Sequence, residues 1–360
     1  MDRSPLLERH QAGGARLADR PEAPGFAAPL TFGDVPAEYF AGRSGCALLD
    51  ASDRGRVTLT GKDAPEFLHR LLANPVRTLP VEGANRNLLL SPKGKVLFDF
   101  DLVRWEERIE LSAAPGRAAA LRQALEVYHF SEDVRFELDG ERHAPLELCG
   151  PGAGARLAAL GLEPPAPGRA RRARWNGAEL VLSAPEVAGA RGLRLDVGPE
   201  HVPDLWDALV RAGARPCGLV ARDSLRVEAG AALAGVDVDE NVYPQEAGLE
   251  RAFALDKGCY VGQEVVAKID TYGGLNKRLL GLRVDHSDPV ARGTALVLEH
   301  EGERRELGLV TSWAYSFALD TGLVLGYVKR HHQEPGTRFD LGGGQGHATV
   351  VELPVALPAP

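Results

Sequence analysis

The chain has 360 residues, 44% of them hydrophobic and 26% charged, with a formal net charge of −8. That length exceeds the usual single-domain range and calls for two or three domains with sizeable cores, while the acidic balance argues against general affinity for nucleic acid or anionic membrane. Its four cysteines, Cys46, Cys149, Cys217 and Cys259, stand far apart with no C-x-x-C pair, which excludes a disulfide framework, a zinc site and a self-contained iron–sulfur site and suits a reducing cytosol.

Residues 1–28 mix charge, proline, glycine and alanine without apolar periodicity and read as a disordered tail. No segment has the apolar core of a secretory signal, and no apolar run approaches the roughly 18 residues of a membrane span, so a cytoplasmic location is expected. A strand over 57–60 closes at Gly61. Asp63 followed by Glu66 forms a capping-box pattern ahead of Phe67, Leu68, Leu71 and Leu72, which predicts a helix over 64–73.

Strand, turn and strand follow over 87–90, 91–94 and 96–103. In the second strand Val96, Phe98, Phe100 and Leu102 share one face, and Leu97, Asp99, Asp101 and Val103 share the other. Two carboxylates so placed point either into a cavity or into water, because strands commonly keep one apolar and one wet face. A helix over 116–128, strands over 135–138 and 146–149, a short helix over 155–160 and a proline-rich loop over 163–168 come next. Arg169, Arg171, Arg172 and Arg174 then cluster. They form either the exposed face of a strand or a contact for a polyanion such as RNA phosphate.

An amphipathic helix over 201–212 turns Leu205, Trp206, Leu209 and Val210 inward and stops at Gly213. On the next helix, over 219–229, Ala221, Ser224, Leu225 and Glu228 share a face at i, i+3, i+4 and i+7, which puts a carboxylate among packed residues in the last turn. There it meets the negative end of the helix dipole and needs donors. Arg222 or Arg226 would supply them from within; a flat ligand with paired N–H groups would supply them from outside.

Gly258 and Gly262 then confine Lys257, Cys259, Tyr260, Gln263 and Glu264 to one eight-residue stretch. A nearby ammonium favours the thiolate, and glycine lets backbone approach a ligand closely; a tight turn with a half-buried cysteine has the same pattern. From residue 276 the texture changes to six short strands with turn residues between them, which predicts a small barrel or sandwich after an α+β body.

Lys257-Gly258-Cys259-Tyr260-Val261-Gly262-Gln263-Glu264 resembles the K-G-C-Y-x-G-Q-E signature of the YgfZ-type folate-binding proteins, relatives of the glycine-cleavage T-protein. Residues 221–230 resemble that family's R-D-x-L-R-x-E-A-G segment, residues 243–249 its P-x-E-x-G-L connection, and residues 308–312 and 325–328 its G-x-V-T-S and L-G-Y-V elements. The resemblance covers about residues 30–355. It implies a three-lobed T-protein-like α+β fold: a folate-binding body over 29–275 built as two interleaved lobes, and a C-terminal β-barrel over 276–360.

It further implies tetrahydrofolate, or a one-carbon derivative, held in a central opening. Glu228 would anchor the pterin, with Arg226, Tyr260, Gln263 and Glu264 as further cofactor contacts. Cys259, Lys257 and Asp99 would be the catalytic groups near the opening, although the family's D-D pair is not reproduced at Asp99. The arginine cluster would then have a second polyanion to consider, the glutamate tail of a folate.

Three functions compete. The signature implies an accessory factor for iron–sulfur cluster assembly or repair, with Fe–S proteins, among them tRNA-modifying enzymes, as partners. The relationship to the T-protein implies a tetrahydrofolate-dependent aminomethyltransferase, which needs a lipoyl-bound aminomethyl donor and an acid to help expel ammonia. The arginine cluster implies a non-catalytic RNA-binding or scaffold protein.

Overall fold

The order in which strands are laid down brings three lobes around one opening. The computed structural model describes residues 3–20, 23–139, 143–300 and 303–356. Strand Ala47–Asp50 starts a seven-stranded sheet. The chain then leaves it and builds a complete five-stranded sheet from Arg56–Thr60, Gly83–Leu90, Val96–Arg104, Arg108–Ala113 and Arg135–Leu138. It returns with Ala144–Cys149, which pairs antiparallel with Ala47–Asp50, and finishes the first sheet with Ala170–Trp175, Ala178–Ser183, Glu186–Val187, Ala190–Val197 and the short parallel Arg215–Pro216. One sheet is thus inserted into the other.

Each sheet buries one face under helices. Ala64–Leu71 and Ala118–Glu126 cover the five-stranded sheet through Phe67, Leu68, Leu121 and Leu125, all at most 1% exposed. Val202–Arg211 covers the seven-stranded sheet through Leu205, Trp206 and Leu209. Asp63 does not cap its helix; its Oδ2 instead accepts from the Asp133 amide at 2.8 Å. Six antiparallel strands from Lys277–Val284 to His347–Val351 close into a barrel, in which no strand edge is left open.

Residues 3–20 and 23–28 are ordered structure, which corrects the expected tail. Helix Leu7–Ala12 and the hairpin Arg16–Arg20/Ala23–Thr31 pack onto the body, with Leu6 and His10 fully buried. Asp50 anchors this segment, because its carboxylate accepts from the Ser4 hydroxyl at 2.5 Å and lies 2.9 Å from His10 Nε2. Among the described residues no helix is long and apolar enough to cross a membrane.

Candidate functional site in the central cavity

The lobes enclose a cavity of about 680 Å³. Strand Val96–Arg104 turns its Asp99–Asp101 face into it, so these carboxylates line a cavity rather than an outer surface. Both are met by arginines. Arg86, on the paired strand Gly83–Leu90 directly across from Asp101, reaches diagonally to grip Asp99 with two nitrogens, Nε at 2.8 Å from Oδ1 and Nη2 on Oδ2. Such a bidentate pair occupies both carboxylate oxygens.

Asp101 is held differently. Its Oδ2 accepts from Arg194 Nη1 at 2.8 Å and from Arg54 Nη2 at 3.5 Å, while Oδ1 has no protein donor among the described residues. Burial alone would raise its pKa, but Arg194, Arg54 and Arg86 outweigh that and hold it below the usual carboxylate range. Arg194 also donates through Nε and Nη2 to Oε1 of Glu147, at 3.0 and 2.8 Å. One buried guanidinium thereby ties a carboxylate of each sheet to the cavity wall. Sequence reasoning missed Arg194 and Glu147. The signal was present in Leu193, Leu195 and Val197 alternating with Arg194 and Asp196, and in a glutamate between Leu146 and Leu148.

Glu228 is placed as the helix periodicity requires, 1% exposed in the last turn of Leu219–Ala229, whose end is marked by Gly230 at φ +73°. Its hydrogen-bond partners in the structure come from within the protein. Oε2 accepts from the Tyr39 hydroxyl at 2.6 Å, and Oε1 accepts from the Ser316 hydroxyl at 2.7 Å and the Ala318 amide at 3.1 Å. The donors it needs come from the N-terminal helix Val35–Ser44 and from the barrel, not from Arg222, Arg226 or the cavity. Glu228 therefore fastens the barrel to the body. Burial, and then the bond to Glu228, push the Tyr39 phenol well above its ordinary pKa.

Arg226 is likewise committed within the protein, to Asp223 Oδ1 at 3.0 Å, Asp237 Oδ2 at 2.9 Å and Ser312 Oγ at 2.9 Å. It reaches the cavity rim with few donors to spare.

The structure does not bring the signature octapeptide to this cavity: Lys257, Cys259, Tyr260, Gln263 and Glu264 are absent from the described residues lining it. The octapeptide forms a loop packed against helix Ala64–Leu71. The loop is clasped reciprocally, as Lys257 Nζ donates to the His69 carbonyl and His69 Nε2 lies 3.1 Å from the Lys257 carbonyl. His69 Nδ1 accepts from the amides of Val76 and Arg77 at 3.2 and 3.3 Å, so the proton sits on Nε2 and donates to Lys257.

The Tyr260 ring is buried beneath the Lys257 ammonium, 5.1 Å from its centroid. Gln263 Nε2 donates to the Leu255 carbonyl at 3.1 Å, and Glu264 pairs with Lys268 on the exposed face of helix Gln263–Tyr272. Gly262, at φ +79°, passes so close to the turn after Leu90 that a Cβ there would lie 2.4 Å from the Ser91 carbonyl oxygen, which explains the glycine. Lys257, Tyr260 and Gln263 thus hold the loop in place, whereas Glu264 pairs only along its own helix and Cys259 is exposed.

Burial, and then the charge of Arg77, lower the Lys257 pKa from 10.5 to about 8. Between those values the unfolded chain binds the proton and the folded one does not, so this lysine makes stability rise with pH through that window. In a ¹³C titration of the lysine ε-methylenes, one group is expected to titrate near pH 8; a full set titrating above pH 10 would contradict this placement.

Interleaved sheets, a closing barrel and an acid-lined central cavity define a class, and the chain belongs to it. Residues 6–257 match the GCVT N-terminal domain, and residues 277–356 match the glycine cleavage T-protein C-terminal barrel domain. The chain is 33% identical to an aminomethyltransferase of Saccharopolyspora erythraea, over 99% of this chain and 97% of that protein. It is also 33% identical to an aminomethyltransferase of Rubrobacter xylanophilus, over 91% and 87% of the two. The crystal structure of glycine cleavage system aminomethyltransferase T from Bartonella henselae is similar to it with a TM-score of 0.86 and 26% identity, over 98% of each chain.

These relatives overturn the expectation of an iron–sulfur accessory factor. Full-length similarity runs to proteins named for aminomethyl transfer, whereas the reading it replaces rested on eight residues that lie outside the cavity lining. The Fe–S client proteins and tRNA-modifying enzymes expected as partners go with it. RNA contact through the arginine cluster finds no support either, since Arg171, Arg172 and Arg174 are paired with Glu163, Glu107 and Glu179 on the protein's own surface.

Proposed function

We propose that the chain is a tetrahydrofolate-dependent aminomethyltransferase. The reaction takes an S-aminomethyl group from a carrier-borne lipoyl arm: the methylene is bonded to N5 and N10 of tetrahydrofolate, its bonds to sulfur and to the amine nitrogen break, and the two N–H protons leave with the thiol and the ammonium ion. The observation that carries this reading is the Asp99–Asp101 face of one strand opening into a cavity of about 680 Å³. That volume lies in the range of sites that enclose small cofactors, and the family works on tetrahydrofolate.

The one-carbon unit is cationic as it changes partners, and an anion facing it in a water-poor site stabilises that charge. Asp101 suits the task better than Asp99. Both oxygens of Asp99 are held by Arg86, whereas Asp101, also lining the cavity, keeps Oδ1 without a protein donor among the described residues and is ionised at neutral pH through its arginines. An ionised Asp101 acts as anion and proton acceptor toward N5 rather than as an acid. Asp99 and Arg86 keep the strand face rigid beside it.

Within the family, the octapeptide carries a subfamily reading as a YgfZ-type member, to which no separate activity is attached. Lys257 and Cys259 are given no part in the transfer, since they stand outside the cavity lining.

Purified protein mixed with an aminomethylated lipoyl carrier domain and tetrahydrofolate tests the proposal. Steady release of ammonia that depends on all three components is expected. Tight tetrahydrofolate binding without ammonia release would leave a folate-binding protein and reject the transferase.

A further inference from the structure

Arg54, Arg86 and Arg194 meet the acids of the cavity wall, and the last two are fully engaged. Arg86 holds Asp99 through Nε and Nη2, and its Nη1 lies 3.8 Å from Glu186 Oε2. Arg194 donates through all three nitrogens, to Glu147, Asp101 and Ser112. Arg54 is held more loosely. Its Nε lies 3.4 Å from Ser112 Oγ, and its Nη2 lies 3.3 Å from the Ser112 carbonyl and 3.5 Å from Asp101 Oδ2. Those lengths exceed the usual N–H···O range of about 2.7–3.2 Å. Nη1 has no hydrogen-bond partner among the described residues. Resting on the cavity reading above, we propose that Arg54 binds the pterin carbonyl oxygen O4 of tetrahydrofolate, so that Arg54 and Asp101 together read one edge of the ring and turn N5 toward the reactive wall.

In a tetrahydropterin, O4 and the N5 hydrogen project side by side from the same edge of the fused ring, an acceptor next to a donor. The wall presents the complement. Asp101 and Arg54 both line the cavity, the acid with Oδ1 lacking a protein donor among the described residues and the guanidinium 3.5 Å from its other oxygen. A ring that gives N5–H to Oδ1 brings O4 beside the acid. There Arg194 is already saturated and Arg86 is turned to Asp99 and Glu186, which leaves Arg54 as the donor.

The charge balance points the same way. Burial, and then the charge of Arg194, lower the Arg54 pKa, so this cation is poorly compensated by its own neighbours. A carbonyl oxygen at Nη1 supplies an acceptor it lacks, in a setting where its side chain is only 20% exposed and a charged hydrogen bond is stronger than at the surface. The opposite edge of the ring, N8–H beside N1, presents the same order of donor and acceptor. That pose turns N5 away from Asp101 and carries no group at position 4 toward Arg54, so a change at position 4 separates the two poses.

The test titrates the full-length protein, by calorimetry, with tetrahydrofolate and with its 4-amino-4-deoxy analogue, in which a donor replaces the O4 acceptor. The preference is the dissociation constant of the analogue divided by that of tetrahydrofolate. Arg54→Met removes the guanidinium and keeps an unbranched stem. The preference is expected to fall by about tenfold to a hundredfold in this variant, chiefly through weaker tetrahydrofolate binding, since a hydrogen bond to a charged group contributes on that scale. Arg54→Lys, which keeps the charge, should retain part of the preference. Arg54→Gln, whose amide can donate to O4 or accept from the amino group, should also lower it and carries the comparison if thermal unfolding shows that Arg54→Met does not fold. A preference as large in these variants as in the wild type overturns the O4 contact and leaves the cavity reading standing. A wild type that binds neither compound overturns both.

Discussion

Asp101→Asn is expected to lower the rate of ammonia release by about 10²- to 10³-fold, the range over which a positioned proton acceptor or charge-stabilising group acts. Asparagine keeps the shape and can still accept from Arg194, but it removes the negative charge facing the one-carbon unit. Tetrahydrofolate affinity should change far less than turnover, because the lost interaction belongs to the transition state.

The fold should survive, since Arg194 retains Glu147 through two bonds to Oε1. Asp99→Asn provides the contrast. It weakens a bidentate grip by Arg86, and its effect on rate should be smaller than that of Asp101→Asn. If Asp101→Asn turned over normally and Asp99→Asn did not, the assignment between the two would be reversed. If neither changed the rate, the acid-lined strand face would not be the reactive wall.

Glu228→Ala is expected to cost about 3–5 kcal/mol of stability in urea unfolding with little change in tetrahydrofolate affinity. Truncation leaves the Tyr39 hydroxyl, the Ser316 hydroxyl and the Ala318 amide without their acceptor. A buried donor left unpaired costs about 1–3 kcal/mol, and relaxation and water entry recover part of the sum.

The loss should appear as loosening of the barrel. The Glu228 carbonyl also accepts from the Val355 amide at 2.8 Å, so the end of this helix is tied to the barrel through both side chain and backbone. Increased proteolysis near residues 316–320 would accompany it. A Glu228→Ala protein of normal stability that had lost folate binding by tenfold or more would restore the pterin-anchor role and remove the barrel-fastening one.

The comparison of sequence with structure turns on the distance over which each residue finds its partners. Helix Leu219–Ala229 was readable to the residue because its signals are local: apolar spacing along one face and a glycine at the left-handed stop. The barrel strands were readable for the same reason, from short apolar runs separated by turns. The N-terminal segment was not, because its apolar residues follow no period and it is anchored by Asp50, 40 residues beyond His10 and 46 beyond Ser4. No window of sequence contains both halves of that contact.

The same reason separates the site from its surroundings. Alternation along 96–103 determined that Asp99 and Asp101 share a face, and it left open whether that face meets water or a cavity. Sheet insertion decided the question, by carrying Arg194 and Glu147 on the other sheet to meet Asp101. The buried carboxylate of Glu228 was likewise determined by helical period, since burial follows from the face on which a residue lies. Which donors satisfy it depended on where Tyr39, 189 residues away, and Ser316, 88 residues away, come to rest. Local periodicity sets the direction a side chain points within its own element, whereas its partner is set by how elements distant in the chain pack, and only the assembled lobes contain that information.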